Sequence, residues 1–360
     1  MIEILDPARD GARIAACLEP GSGYRFVDAW EIAAHELHAI APASPPPQAR
    51  YVVYPWRRTV VKLPAREPFR QLRTTRNRYL IDDSEQRRWS GALIGIAGLS
   101  VGSSALTVCA LTGAGRFRLA DPDHLGVSNL NRLPASVCDI GVSKTALAHR
   151  RVLELDPYSA VTAFPQGYRA DTAEPFLGTA PGDEPLTVLV EEMDDFGAKV
   201  EIRLRARAAG IPVLMATDNG DNVILDVERF DLDRGYPLFH GRAGNVAESA
   251  AAMSDPLVRA RAALRIVGAD ITPRTRYSLT EVGRSLTSWP QLGTAATLAG
   301  VAAAYAARLV VCGSPLPSGR YRIDPDLALC GEAARRATRW NEMDAEDFLA
   351  VMNPAEPTQE

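Results

Sequence analysis

Apolar positions along this chain fall into short bursts separated by charged or glycine-containing stretches. AWEIAAHELHAI places its apolar residues three and four apart, which predicts an amphipathic helix ending near Ile40. APASPPPQ interrupts it, because closely spaced prolines remove backbone donors and hold the chain extended, as in a linker or exposed loop. YVVYPWRRTVVKL then alternates β-branched and aromatic residues in two bursts around Pro55, predicting an edge strand pair or one bent strand. From Arg66 to Trp89 the chain is arginine-rich, with a helical pattern in EPFRQLRTTRNRY followed by acidic IDDSEQ.

The pattern changes at Ala92. ALIGIA reads as a buried strand, GLSVGSS as a turn and ALTVCALTGAG as a helix. RFRLAD is a second strand ending on Asp121, and LTVLVEE a third ending at Glu191 and Glu192. A helix from Lys199 to Ala209 leads into the strand GIPVLMAT. Strands alternating with helices predict an α/β fold, a Rossmann-like, mostly parallel sheet with helices on both faces. To this the first 70 residues add a small α+β appendage. The expected division is 1–70 for the appendage, 71–330 for the main domain and 331–360 for a C-terminal tail.

Composition removes several classes of function. A formal charge of -4 over 360 residues offers no global attraction to nucleic acid or anionic lipid. Five scattered cysteines without a CxxC pair point to neither a disulfide framework nor a zinc site. The acidic start MIEILDPARD lacks the basic and apolar regions of an export signal, and Thr294 to Cys312 reads as a buried helix, so a cytoplasmic protein without a membrane partner is expected. Lys62, Lys144 and Lys199 are the only lysines, which singles each of them out.

The turn AGLSVGS carries the first candidate chemistry. Gly98 and Gly102 let backbone approach a phosphate, and the following helix N-terminus offers free amides, although serine replaces glycine within the motif. Asp121 lies 19 residues beyond Gly102, near the ~20 expected for an acid that binds a ribose hydroxyl. At this stage NAD, FAD and ATP all remain possible. The next stretch, DPDHLGVSNLNRLPASVCDIGVSK, adds Asn131, Arg132 and Lys144, donors suited to a polyanion, and favours a triphosphate.

Asp121, SNLNR from Ser128 to Arg132, and DIGVSK from Asp139 to Lys144 together resemble the ThiF/MoeB family of adenylating enzymes, relatives of the ubiquitin-activating enzymes. The resemblance, from about Arg76 to about Gly313, implies ATP and Mg2+ as cofactors. It implies ribose contact by Asp121, phosphate contacts by Arg132 and Lys144, and an orienting donor in Asn131. Asp194 of VLVEEMDDFGAK matches the family's magnesium ligand, with Lys199 where an arginine is usual and Asp218 of TDNG as the second-ranked alternative. Glu191 and Glu192 are left as supporting acids or a charged strand end. Arg78 in RNRYLI matches an arginine that reaches the nucleotide of the partner in a homodimer. Pro290 and the small-residue helix after it are assigned to structure, as are His124 and His240. YPWRRTVVKL and GLSVGS are also similar to actinobacterial proteins that join such a domain to a nitroreductase-like half.

The activity implied is ATP-dependent activation of a carboxylate on a peptide, carrier protein or small acid as an acyl-adenylate, with capture by an external nucleophile. An enzyme-bound thioester is not expected unless Cys312 or Cys138 folds into the cleft. The alternatives are a non-catalytic dimeric binding module and, on the turn and Asp121 alone, an NAD- or FAD-dependent oxidoreductase.

Overall fold

The apolar bursts assemble into two sheets. The computed structural model describes residues 1–42, 45–244, 256–336 and 342–352. The N-terminal unit runs β1 (Glu3–Leu5), α1 (Gly11–Leu18), β2 (Arg25–Asp28), α2 (Trp30–Ile40), β3 (Ala49–Tyr54) and β4 (Thr59–Pro64). Its strand order is β1-β3-β4-β2, so the two bursts around Pro55 form an antiparallel hairpin at the sheet's centre rather than at its edge. Pro55 sits in the connecting 3-10 turn, where its missing N–H costs no ladder bond.

Next come α3 (Arg66–Arg73) and α4 (Asp83–Gly91). The helix expected over EPFRQLRTTRNRY stops at Arg73, and a 3-10 turn, Thr75–Asn77, precedes Arg78. Asp82 and Glu85 then form a capping box that starts α4. The main unit contains β5 (Leu93–Ala97), α5 (Gly102–Leu111), β6 (Arg116–Ala120), α6 (Lys144–Leu155), β7 (Ala160–Phe164), α7 (Ala173–Leu177), β8 (Val188–Glu191), α8 (Phe196–Ala209), β9 (Val213–Asn219) and β10 (Asn222–Glu228). It continues with α9 (Pro256–Val267), α10 (Pro273–Thr280), α11 (Gly293–Cys312), β11 (Gly319–Ile323), α12 (Pro325–Arg336) and α13 (Ala345–Met352).

The large sheet has the order β11-β10-β9-β8-β5-β6-β7. Strands β9 to β7 in that order are parallel, and β10 and β11 add an antiparallel edge. One face packs on α5, α6 and α11 through residues such as Leu106, Val152 and Ala303. The other packs on α7, α8 and α9 through Phe176, Ile202 and Ile266. The apolar helix α11 lies against α5 and β9, and its small residues permit that approach: a Cβ on Gly300 would lie 2.4 Å from the Ser104 Cβ.

The N-terminal unit is anchored to this layer by polar contacts at the end of α6. The Tyr54 hydroxyl donates to the Leu153 carbonyl, the Arg57 guanidinium grips Glu154, and the Tyr158 hydroxyl donates to the Pro64 carbonyl.

Candidate active site

β5 has β6 on one side and β8 on the other, so the chain leaves its carboxyl end in opposite directions and opens a crevice there. The turn from Gly98 to Val101 forms the crevice floor. Gly98 has φ +89°, and a Cβ there would sit 2.3 Å from the Glu192 carbonyl oxygen. A Cβ on Gly102 would point at Ile96, 2.8 Å from its Cγ2. Both glycines therefore serve close packing of the turn, and the first turn of α5, which no side chain caps, presents its free amides toward the crevice.

Asp121 is 4% exposed and organises this turn. Its Oδ2 accepts from the Leu99 amide at 2.6 Å and its Oδ1 from the Asp123 amide at 2.8 Å. Burial pushes its carboxyl up, against the nearby Lys144 ammonium. Lys144, the first residue of α6, puts its Nζ 3.7 Å from Asp121 and 2.7 Å from Asp123 Oδ2. The outward-facing acid is Asp123, with a side chain 64% exposed. Asp121, the expected ribose acceptor, also holds the loop, with one amide bonded to each oxygen and acceptor capacity left on both, and Asp123 beside it is the more accessible carboxylate.

Asn131 and Arg132 reach the crevice from the loop after β6. Asn131 Nδ2 donates to the Gln291 carbonyl at 2.8 Å, tying this loop to the Pro290 loop ahead of α11. Arg132 donates through Nη1 to Ser128 O and Asn131 Oδ1, while its enclosed Nε has no partner. Burial lowers the Arg132 proton affinity, and Asp194 and Asp218 oppose that effect from nearby. Asp194 is exposed, whereas its neighbour Asp195 caps α8 by accepting from the Ala198 amide.

The acids around Asp194 are divided by their partners. Glu191 is fully buried, but Lys199 and Arg203 outweigh that burial and hold its carboxyl below the ordinary range. The Lys199 Nζ lies 3.1 Å from Glu191, and Arg203 bridges Glu191 to Glu228. Glu191 in turn accepts from the Met193 amide, which shapes the loop carrying Asp194. Glu192 accepts from the Ala216 amide, and burial pushes its carboxyl well up, against Lys199.

Asp218 has no such support. It is 3% exposed, both carboxylate oxygens are enclosed without a hydrogen bond, and burial pushes it up to about 7 against Arg132 and the approaching Gln291 side chain.

A cavity of about 1100 Å3 opens beside Arg132 and Asn131. Gly220, Asp221, Trp289 and Gln291 line its near side, and Cys330 lies on its wall. Cys312 instead offers its thiol to the Glu85 carbonyl, and Cys138 sits in an exposed turn. His240 bridges Asp226 and the Tyr236 hydroxyl. Arg78 is exposed beside Tyr79 and Leu80, which are 96% and 83% exposed. Among the described residues no ion pair joins it to the site cluster of its own chain.

Fold and site define a Rossmann-like α/β protein with a polar crevice at the carboxyl ends of its parallel strands. The ThiF family model matches residues 74–221, the part of the chain that holds Gly98, Gly102, Asp121, Asp123, Asn131, Arg132, Lys144, Asp194 and Asp218. Over 338 residues the chain is 36% identical to the uncharacterized protein MT1398 of Mycobacterium tuberculosis, covering 91% of this chain and 46% of that protein. It is 29% identical to the tRNA threonylcarbamoyladenosine dehydratase of Bacillus subtilis, covering 34% of this chain and 46% of the relative. A probable molybdopterin-synthase adenylyltransferase of Porphyra purpurea is 25% identical, with 32% of this chain and 29% of the relative covered. The chain thus spans about half or less of the length of these curated relatives. Among solved structures, the E. coli tRNA N6-threonylcarbamoyladenosine dehydratase aligns with TM-score 0.48 and 17% identity, over 68% of this chain and 95% of that one.

Proposed function

We propose that this chain uses ATP to adenylate a substrate carboxylate, on a peptide, a carrier protein or a small acid. The observation that carries the reading is Arg132, with an unpartnered Nε, within electrostatic reach of both Asp194 and Asp218 near the switch point and beside a cavity large enough for an acyl substrate. The adenylyltransferase named among the relatives supports the same reaction class.

The residues present fit a Mg-nucleotide. Among the described residues no group of three or more metal-ligating side chains exists, and magnesium bound to a nucleotide takes only one or two protein carboxylates with the phosphates. Asp194, exposed and in no ion pair among the described residues, is the residue that would hold it; bound there, the ion would neutralise phosphate charge. Arg132 and the α5 amides would hold the phosphates, with Asp121 and the more accessible Asp123 beside it available to the ribose. Lys144 holds the Asp121–Asp123 loop and adds positive charge behind it. The substrate carboxylate attacks the α-phosphate and pyrophosphate leaves. The protein's contribution is to position the reactants and to stabilise charge on phosphoryl oxygens. Arg78, exposed with Tyr79 and Leu80, is assigned to the nucleotide of a second copy in a homodimer.

Acid-dependent exchange of labelled pyrophosphate into ATP tests the reading. Exchange with a member of an acid panel, lost on Asp194→Ala, supports it. ATP binding without exchange across the panel would replace it with the non-catalytic binding module, a reading favoured by the Asp123 contact that occupies Lys144.

A further inference from the structure

Among the described residues Asp218 is the only acid with both carboxylate oxygens enclosed and outside bonding distance of a donor, although the Gln291 side chain approaches it. It ends the run Leu214, Ala216, Asp218 on one face of β9, and the first two of these belong to the core under α5 and α11. That alternation puts Asp218 beneath the Pro290 loop leading into α11. The two-residue turn directly after β9, Gly220 and Asp221, lines the cavity, as do Gln291 and Arg132. A buried carboxylate is normally paired, because removing its charge from water is costly. Here the cation acting on it is Arg132, which makes no ion pair with it among the described residues and whose own Nε is enclosed and unbonded. A further enclosed polar atom without a partner, Trp289 Nε1, belongs to a residue that lines the cavity with Arg132.

Asp218 is itself off the cavity lining and is approached by the Gln291 side chain, so a ligand that displaces that amide would meet an acceptor without a paired cation close to the free donors of Arg132 and Trp289, which suits a ligand that is cationic and proton-bearing on one side and anionic on the other. An amine poised to attack an acyl-adenylate meets that description, with its N–H groups at Asp218 and the phosphate oxygen at Arg132. A thiol or alcohol would bring no positive charge to the carboxylate. We propose that the external nucleophile is a primary amine, bound as its ammonium by Asp218, which then takes its proton during acyl transfer. This rests on the adenylation reading.

The ammonium first loses one proton to solvent. The amine nitrogen then attacks the acyl carbon, the C–N bond forms, and the bond from the acyl carbon to the AMP oxygen breaks. AMP leaves with that electron pair, its phosphate against Arg132. The second proton passes from nitrogen to the Asp218 carboxylate and from there to water, leaving an amide. Burial holds Asp218 near 7, which suits it to proton acceptance at neutral pH.

The test has two arms, each run on the full chain and on Asp218→Asn, with far-UV circular dichroism and ATP binding as folding controls. In the first, melting is followed with added methylammonium chloride, tetramethylammonium chloride or sodium chloride. Methylammonium alone should raise the wild-type melting temperature, and Asp218→Asn should lose that rise; an equal rise in both proteins, or none in either, overturns the proposal. In the second arm, amide formation with methylamine is measured relative to pyrophosphate exchange, using an acid that supports exchange. The ratio should fall by about a hundredfold in Asp218→Asn. An unchanged ratio overturns the proposal, as does amide formation that survives Asp218→Asn but is lost in Cys330→Ala. If methylammonium binds at Asp218 but no acid supports exchange, the adenylation reading falls and the transfer step with it, while the ammonium site stands.

Discussion

Asp218→Asn should stabilise the protein at neutral and alkaline pH. Burial lifts this carboxyl from its ordinary 3.8 to about 7, so the folded chain holds a proton that the unfolded chain has released. A group with a raised folded value contributes stability in full below its unfolded value and loses it as pH rises through the folded one. The shift spans roughly three units, and at about 1.4 kcal/mol per unit the wild type forfeits up to about 4 kcal/mol between about pH 4 and pH 8. Solvent reaching the cavity reduces that ceiling. Asparagine has the shape of the protonated acid and no charge to desolvate, so the variant should match the wild type near pH 4 and exceed it by an increasing margin up to pH 8. Glu192, coupled to Asp218 by like charge, shifts the difference in the same direction. Urea unfolding of both proteins across that range measures the difference, in which carboxylates common to both cancel. A margin that stays flat with pH, or a variant less stable at pH 8, would refute the reasoning. A stabilised but transfer-deficient variant would show that the strain of an unpaired acid is maintained for function.

Three other perturbations separate support from chemistry. Arg203→Met leaves the buried Glu228 without a cation and should cost about 3–5 kcal/mol by urea unfolding, with Glu228→Gln in the same chain recovering most of the loss. Gly98→Ala forces a side chain into φ +89° and against the Glu192 carbonyl; a loss of about 1–3 kcal/mol is expected together with weaker ATP binding by calorimetry. Asp194→Ala, at an exposed position, should leave stability within about 0.5 kcal/mol while pyrophosphate exchange falls by about a hundredfold or more.

The parts of the fold legible in the sequence were those written as local periodicity. β5, its glycine turn and α5 form one contiguous stretch, and β6, β8, α8 and β9 each announce themselves by an apolar burst. β10 was missed although a signal existed. Gly220–Asp221 between two apolar runs is a hairpin dipeptide, and the register pairs Asn219 with Asn222 across that two-residue turn. Part of that stretch had been weighed as a metal motif instead. β7, AVTAF, is a short edge strand with three of its five residues exposed, so its brief apolar run gives a weak signal. β11 was missed because three of its five residues are Gly or Arg.

The site divides in the same way. SNLNR and the Asp121–Lys144 pair could be named from spacing, because each lies in one loop. What spacing cannot carry is which of two acids faces outward: Asp121 and Asp123 differ by two residues, yet one is buried and accepts from the Leu99 and Asp123 amides while the other is exposed beside Lys144. Nor can it carry pairing between distant elements. Glu191, Lys199, Arg203 and Glu228 come from β8, α8 and β10, and only the folded sheet reveals that Glu191 and Glu228 are satisfied. Asp218, one strand away, is not. That contrast makes the unpaired acid informative: a chain able to supply two cations to Glu191 supplies none in bonding contact to Asp218, and the charge missing there is the one a substrate would bring.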